Sequence, residues 1–209
     1  MRPNPPELSQ ERQGLILSAA QIRFARYGFS KVTMDEIAQD VGMAKASLYY
    51  YYPTKENLFR SVIEREQAEF LRQMGGILEQ AMPASKKLTT YVTNRIKLTN
   101  TLLNLSSLNL QLWRRPKPGF VEMFESFANE ELKLLTKILQ EGNQSGEFAV
   151  ASPGTSALML LHVLQALRLR IIRERMTGVA SDAQEAELEK ETCLLMETML
   201  HGIIRRNGH

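Results

Sequence analysis

Apolar residues recur along the chain at intervals of three and four, the spacing that places them on one face of an α-helix. No segment alternates apolar and polar residues over the length of a β-strand. Glycines, prolines and capping residues divide this pattern, so the sequence predicts an all-α protein of about nine helices. We place these helices at about residues 9–28, 33–40, 44–51, 54–76, 84–104, 106–115, 119–142, 153–176 and 182–205.

Several helix boundaries have a specific chemical signal. Ser9 can cap the first helix, and Gly28 suits the position just after its end. Thr33 and Glu36 have the spacing of a capping box, in which each side chain satisfies a backbone N–H group of the other. Ser152 precedes Pro153 as cap and first helical residue, and a second capping box begins at Ser181.

The first helix offers an apolar side. We expect Leu15, Ile16, Ala19, Ile22 and Phe24 to face a core. The eighth predicted helix, at 153–176, is apolar nearly all round, which indicates burial on several sides.

Two short helices joined at Gly42 have the dimensions of a helix-turn-helix. Leu48 and Tyr52 are four residues apart and share the core side of the second helix. An aromatic cluster is often simply core, and we accept that interpretation for Tyr52. Four adjacent tyrosines cannot all point inward, so other side chains must face outward. The candidate outward set is Lys45, Ala46, Ser47, Tyr49 and Tyr50.

These outward residues suit a nucleic-acid groove. Lys45 can reach a phosphate or a guanine, Ser47 can donate to a phosphate or a base, and the Tyr49 phenol can donate to phosphate oxygens. Ala46 is small enough to let the helix lie close to the groove floor. The sequence therefore indicates double-stranded DNA as a partner.

Residues Thr33 to Leu58, which read TMDEIAQDVGMAKASLYYYYPTKENL, resemble the DNA-binding signature of the tetracycline-repressor-like (TetR/AcrR) regulators over about residues 10–60. The resemblance implies a homodimer whose recognition helices enter successive major grooves of a palindromic operator. It implies a phosphate contact for Thr33, a recognition set of Lys45, Ala46, Ser47, Tyr49 and Tyr50, and a phosphate clamp for Lys55. Ala44 departs from the family pattern, which usually has a serine cap there.

The resemblance also implies two domains. The predicted helix-turn-helix domain spans residues 1–55, the helix that begins at residue 54 links the domains, and residues 56–209 form a helical effector-binding and dimerisation domain. The family forms its dimer through the last two helices. The wide apolar stripe of the ninth predicted helix agrees with this, although the stripe could instead pack within one subunit. The candidate interface residues are Leu188, Leu195, Met199 and Ile203.

A small, mostly apolar ligand is the expected effector. The helices between residues 84 and 142 mix apolar and aromatic residues with a few amides, as ligand sites do, but an ordinary core has the same composition. The candidate pocket residues are Leu102, Leu105, Asn109, Leu112, Trp113, Phe124, Phe127 and His162.

Charge and composition narrow the function further. The net charge is only +3, but residues 41–55 contain no acid. The single Cys193 and three scattered histidines argue against a disulfide framework or a metal site, and they fit a cytoplasmic protein without a cofactor. The N-terminus has no apolar run and does not resemble a signal peptide. The apolar stretch 157–172 is short and interrupted by charges, which disfavours a membrane span.

Three functions can be compared. We expect a DNA-binding transcriptional regulator, and specifically a repressor that an apolar effector releases from its operator. A second hypothesis is a helical regulator that has no small-molecule effector and acts through a protein partner. A helical enzyme is disfavoured, because no phosphate loop, nucleophile elbow or His/Cys pair is present in the sequence.

Overall fold

The computed structural model describes residues 5–102, 104, 118–176, 187, 190–192, 194, 195, 197, 198 and 202. Within these residues every regular element is a helix, so the predicted all-α class is confirmed. The helices are α1 (Pro5–Tyr27), α2 (Met34–Asp40), α3 (Lys45–Tyr51), α4 (Lys55–Leu78), α5 (Ala84–Thr101), α6 (Pro118–Gln144) and α7 (Pro153–Met176).

Several helix ends differ from the prediction. α1 begins at Pro5 rather than at Ser9, because proline is compatible with the first turn of a helix. α4 continues through Gly75 and Gly76 to Leu78. The two glycines cost about 1 kcal/mol each relative to alanine, but the burial of Ile77 and Leu78 offsets that cost.

α5 ends at Thr101, a few residues before the predicted end. The predicted helix at 106–115 and most of the one at 182–205 lie outside the described residues. The predicted start at Pro153 is confirmed, and the α1 end at Gly28 has the positive φ of +79° that favours glycine.

The chain divides into two compact units. The first contains Met1–Ala68 and Leu102–Asn109, and the second contains Glu69–Thr101 and Leu110–His209. The boundary between Ala68 and Glu69 falls inside α4. α1, α2 and α3 therefore belong to the first unit, and α5, α6 and α7 to the second.

The first unit packs around one face of α1. Ile16, Ala20 and Phe24 are four residues apart and buried, and the Phe24 ring meets Phe59 of α4 edge-on with 4.9 Å between centroids. The expectation that Leu15 and Ile22 also face the core is wrong. Their side chains are 62% and 67% exposed, because both lie about 100–120° around the helix from Ile16.

A charged cluster is buried in the second unit, between α5 and α6. The Arg95 Nε donates to Glu131 Oε1 at 2.5 Å, and the Tyr91 hydroxyl donates to the same oxygen at 3.2 Å. Burial opposes the charge on Arg95, but the Glu131 carboxylate outweighs it, so the pKa of Arg95 lies above its usual value. Burial and the Glu131 charge raise the pKa of Tyr91 well above its usual range, which keeps its hydroxyl protonated.

The turn after α6 connects back to the start of α5. Gly146 has a φ of +75°, and a Cβ at Gly142 would overlap the buried ring of Phe148. This turn presents Glu147, whose carboxylate accepts from the backbone N–H groups of Ala84 and Ser85 at 2.7 and 3.0 Å. Glu147 therefore caps α5 from about 60 residues away in sequence.

Of the helices in the described part of the chain, none has the length and apolar character that a membrane crossing needs. Among the same residues, no three His, Cys, Asp or Glu side chains are grouped closely enough to hold a metal ion.

Candidate nucleic-acid interface

The first helix of the helix-turn-helix is fixed by its cap. The Thr33 hydroxyl accepts from the Glu36 backbone N–H at 3.3 Å, and the Glu36 carboxylate accepts from the Thr33 backbone N–H at 2.8 Å. The predicted capping box is therefore present. These bonds hold the pKa of Glu36 below its usual value, because the Thr33 backbone and side chain stabilise the charged carboxylate.

The turn between α2 and α3 depends on Gly42. Its φ of +66° is a conformation that side chains with a Cβ disfavour, and its N–H donates to Gln39 O at 3.1 Å. α3 then starts at Lys45 after Ala44, which provides no side-chain cap. Because alanine replaces the usual serine, the start of α3 lacks the side-chain hydrogen bond that a cap would provide.

α3 separates a core side from an exposed side. Leu48 is fully buried and Tyr52 nearly so, as the i, i+4 spacing predicted. Tyr50 is 85% exposed, and its ring meets that of Tyr51 edge-on at 5.5 Å. The structure leaves all five predicted recognition residues on the exposed side, namely Lys45, Ala46, Ser47, Tyr49 and Tyr50.

Lys45 is paired within the protein. Its Nζ lies 2.8 Å from Asp35 Oδ1 and 2.9 Å from Asp35 Oδ2, and 6.0 Å from the centroid of the Tyr49 ring. The hydrogen bond with Asp35 raises the pKa of Lys45 above its usual value. Asp35 thus neutralises the one lysine of the recognition helix, and the sequence analysis did not identify it. A separation of ten residues follows no helical period, so no signal in the sequence marks this pair.

Lys55 also has protein partners. Its Nζ donates to the Val32 carbonyl oxygen at 2.9 Å and lies 4.6 Å from the centroid of the Phe29 ring. The lysine therefore joins the start of α4 to the segment before α2. A phosphate contact by Lys55 stays a prediction, as does the phosphate contact by Thr33.

Arg23 is a second residue that sequence reasoning missed. Its guanidinium from α1 donates to both carboxylate oxygens of Asp40 at the end of α2, with 2.8 Å from Nη2 to Oδ1, and lies 3.4 Å from Glu36. The hydrogen bond with Arg23 holds the pKa of Asp40 below its usual value. This pair fixes α2 against α1 and so positions the helix that precedes α3.

Comparison with known proteins identifies the family. The family model of bacterial regulatory proteins of the tetR family matches residues 16–62. A transcriptional regulator from Cytophaga hutchinsonii, solved as a crystal structure, is 38% identical with a TM-score of 0.83, and the match covers 93% of this chain and 99% of that one. The chain belongs to the TetR family. It is a DNA-binding transcriptional regulator of the helix-turn-helix type.

More distant relatives agree with this TetR-family assignment. The uncharacterized HTH-type transcriptional regulator YfiR of Bacillus subtilis (strain 168) is 26% identical over 204 residues, which are 90% of this chain and 94% of YfiR. FadR of Bacillus subtilis, solved in complex with stearoyl-CoA, is similar in fold, with a TM-score of 0.69 and 21% identity over 88% of this chain and 96% of that one.

The predicted effector residues of this TetR-family protein are only partly described. Leu102 is buried and belongs to the first unit. In the second unit Phe124 and Phe127 are half-buried, Phe127 meets Phe70 edge-on at 5.2 Å, and His162 is exposed. Four further candidates lie outside the described residues, namely Leu105, Asn109, Leu112 and Trp113.

The structure describes one of the four predicted dimer-interface residues. Leu195 is half-buried, whereas Leu188, Met199 and Ile203 lie outside the described residues. On α7, Leu158 and Met159 are exposed, so this helix is not buried on all sides within one chain as its sequence suggested.

Proposed function

We propose that this TetR-family regulator is a homodimeric repressor. Two copies of α3 bind the half-sites of a palindromic operator, and a small, mostly apolar effector bound in the second unit releases the DNA. The observation that carries the DNA-binding part is the exposed side of α3. It presents a lysine, a serine and two tyrosines from a stretch of sequence that contains no acid.

We assign the side chains of α3 and of its flanking residues to two roles. Tyr49 and Lys55 are proposed phosphate contacts, which position the protein without reading sequence. Lys45 and Tyr50 are proposed base contacts, because Lys45 can donate to guanine in the major groove and Tyr50 is the most exposed aromatic residue of the helix. Ala46 lets α3 approach the groove floor, Ser47 contacts a phosphate or a base, and Thr33 is a further contact to the DNA backbone.

Selection of bound duplexes from a random pool tests this function. We expect the enriched sequences to contain an inverted repeat whose half-sites lie about one helical turn apart. Lys45→Ala should relax the preference at one base of each half-site, whereas Tyr49→Ala should weaken binding to all sequences. Lys133→Ala is the matched control, since Lys133 is also exposed and paired with an acid but lies in the second unit. A wild-type protein that enriches no sequence would contradict the proposal.

A second copy of the chain is the proposed partner of exposed apolar residues on α7 and at residue 194. Leu158, Met159 and Leu194 are exposed in the single chain, and Leu195 is half-buried. Covering such residues between two subunits removes apolar area from water. We propose that Leu195 contributes to that interface together with Leu188, Met199 and Ile203.

Sedimentation tests the dimer. Leu195→Glu should yield monomers, because a carboxylate at the interface would lose its hydration without gaining a partner. Leu15→Glu is the control, since Leu15 is an equally apolar exposed residue of the first unit. A wild-type protein that sediments as a monomer at micromolar concentration would contradict a dimer.

The second unit is the proposed effector domain. We propose Leu112, Trp113, Phe124, Phe127 and His162 as candidates for its binding site, whereas Leu102, Leu105 and Asn109 fall in the first unit. The half-buried phenylalanines of α6 support an apolar ligand, and a relative of the same fold binds stearoyl-CoA. Stearoyl-CoA, whose acyl chain is apolar although its CoA group is charged, is therefore the first probe to titrate with and without operator. Linkage requires that operator weaken effector binding by the factor with which the effector weakens operator binding. Equal affinities in both titrations would show that the probe is no inducer.

A further inference from the structure

The lysine of the recognition helix is held by a carboxylate from the other helix of the motif. The other exposed lysine pairs that the described structure contains, Lys133 with Glu130 and Lys190 with Glu187, each join residues three apart on one helix. The Lys45–Asp35 pair instead joins the start of α3 to the first turn of α2. It therefore crosses the turn at Gly42 and lies on the exposed side of the motif.

We propose that Asp35 is a specificity-determining residue that positions Lys45 and suppresses non-specific DNA binding. This inference rests on the proposed role of α3 as the recognition helix. Both carboxylate oxygens lie within 2.9 Å of Nζ, so they engage up to two of its three N–H groups. The third N–H, on a side chain that is more than half exposed, remains available to a base acceptor such as guanine O6 or N7.

The pair affects non-specific binding through its net charge. Non-specific affinity for DNA comes from phosphates that the protein neutralises and from the counterions that they release. Lys45 and Asp35 together carry no net charge, so the pair adds little to this term on any sequence. On the correct sequence, however, the oriented Lys45 donates to a base. Asp35 therefore widens the difference between operator and other DNA.

An exposed ion pair is weak enough for this role and does not hold the fold together. Pairs between solvent-exposed side chains contribute little to stability, because both charges are already well hydrated. Half of the Asp35 side chain is open to solvent, and α2 keeps its Thr33–Glu36 cap without it. Replacing Asp35 with asparagine should thus change binding without unfolding the motif.

The test compares the dissociation constants of the wild type and Asp35→Asn for the selected operator and for an unrelated duplex of equal length, over a series of salt concentrations. For Asp35→Asn, the slope of log K against log salt on the unrelated duplex should steepen by about 0.9 for each freed lysine that binds a phosphate, and so by up to about 1.8 for the dimer. Non-specific affinity at about 0.1 M salt should rise about 3- to 10-fold for each freed lysine. Operator affinity should rise less, so the ratio of the two affinities falls.

A repeated random-pool selection reports on the positioning of Lys45. Asp35→Asn should relax the preference at the same base position that Lys45→Ala relaxes, because the freed lysine can bind phosphates instead. Asp35→Glu keeps the charge and should keep the wild-type slope. Glu130→Gln, which frees Lys133 in the second unit, controls for a general change in net charge and should leave base preference unchanged.

Two results would overturn the inference. One is an unchanged salt slope and base preference in Asp35→Asn, and the other is an equal loss of affinity for operator and unrelated DNA, which would assign Asp35 a purely structural role. A wild type that enriches no sequence overturns the proposed function itself, and the inference falls with it. Thermal unfolding of each variant shows whether the motif is intact.

Discussion

Two ion pairs, one from each unit, occupy opposite environments. In the first unit, Lys45 and Asp35 are more than half exposed, and the pair lies on the side of the motif that we assign to DNA. In the second unit, Glu131 is 1% exposed and Arg95 is buried with it. The difference shows that a salt bridge has a different role at the surface than in the core. A residue of an exposed pair can exchange its partner for a ligand at little cost in free energy, whereas a buried pair must stay intact because neither charge can return to water.

The largest effect is expected where the buried pair loses its acid. Glu131→Ala leaves Arg95 charged and buried, and it also removes the acceptor of the Tyr91 hydroxyl. We expect a loss of about 3–5 kcal/mol in the free energy of unfolding, measured by thermal or denaturant unfolding. The double variant Arg95→Met with Glu131→Leu should recover most of that loss, since it removes both charges together. An unstable double variant would show that the pair itself, rather than charge burial, determines stability.

The first unit contains a buried carboxylate of another kind. Glu66 accepts from the amide groups of Gln21 at 3.0 Å and Asn104 at 2.8 Å, and Asn104 also donates to the Gln21 carbonyl oxygen at 3.0 Å. Asn104→Leu removes one donor from the Glu66 carboxylate and the donor to the Gln21 backbone carbonyl oxygen. It should lower the free energy of unfolding by about 1–3 kcal/mol, less than Glu131→Ala does. Unfolding in denaturant measures this cost. Thr101→Leu, at an exposed site nearby in sequence, is the control. A cost equal to that of Glu131→Ala would contradict the ranking.

A smaller effect is expected at the half-buried carboxylate of Glu147. Glu147→Ala removes the acceptor of two backbone N–H groups at the start of α5. Loss of a helix cap costs about 0.5–2 kcal/mol, and hydrogen exchange should accelerate first at Ala84 and Ser85. Gln144→Ala, at the exposed last residue of α6, should leave this exchange unchanged. Unaltered exchange in Glu147→Ala would exclude the cap as a contribution to stability.

The smallest effect is expected at the exposed Asp40. Its pKa lies below the usual value because of the hydrogen bond with Arg23, so this pair stabilises the fold above the unfolded-state pKa of about 3.9. That contribution is lost as the pH falls through the lower pKa of the folded state. The melting temperature of Asp40→Asn should thus fall less steeply than that of the wild type below about pH 4. Glu125→Gln, at an exposed carboxylate of α6, should follow the wild type. Parallel curves for Asp40→Asn and the wild type would contradict the expectation.

Local features of the fold could be predicted from the sequence. Capping by Thr33 and Glu36, the turn at Gly42 and the burial of Leu48 and Tyr52 all depend on residues within a few positions of one another, so their spacing reveals them. The first helix shows the limit. Its apolar content was evident, but which apolar residues face the core depends on the position of α2 and α4 around α1, and Leu15 and Ile22 were therefore misplaced.

The sequence predicts which side chains α3 exposes, but not which residues they bond to. Exposure of the α3 residues follows from the helical period once Leu48 is placed in the core. The partners of the two lysines do not follow. Lys45 meets Asp35 across a turn, and Lys55 meets the Val32 carbonyl oxygen 23 positions away, so only the folded chain brings these atoms together. Such pairings depend on tertiary geometry, which a single sequence does not display.

The bonds along α5 have a mechanical consequence for the second unit. Ser85 is hydrogen-bonded to the turn after α6, and Arg95, about 15 Å further along the α5 axis, is hydrogen-bonded to α6 itself. The Thr99 carbonyl oxygen, about 6 Å beyond Arg95, accepts from Arg168 of α7. Sliding of α6 or α7 along α5 would break at least one of these bonds. We therefore expect a displacement of one of the three helices to move the other two with it.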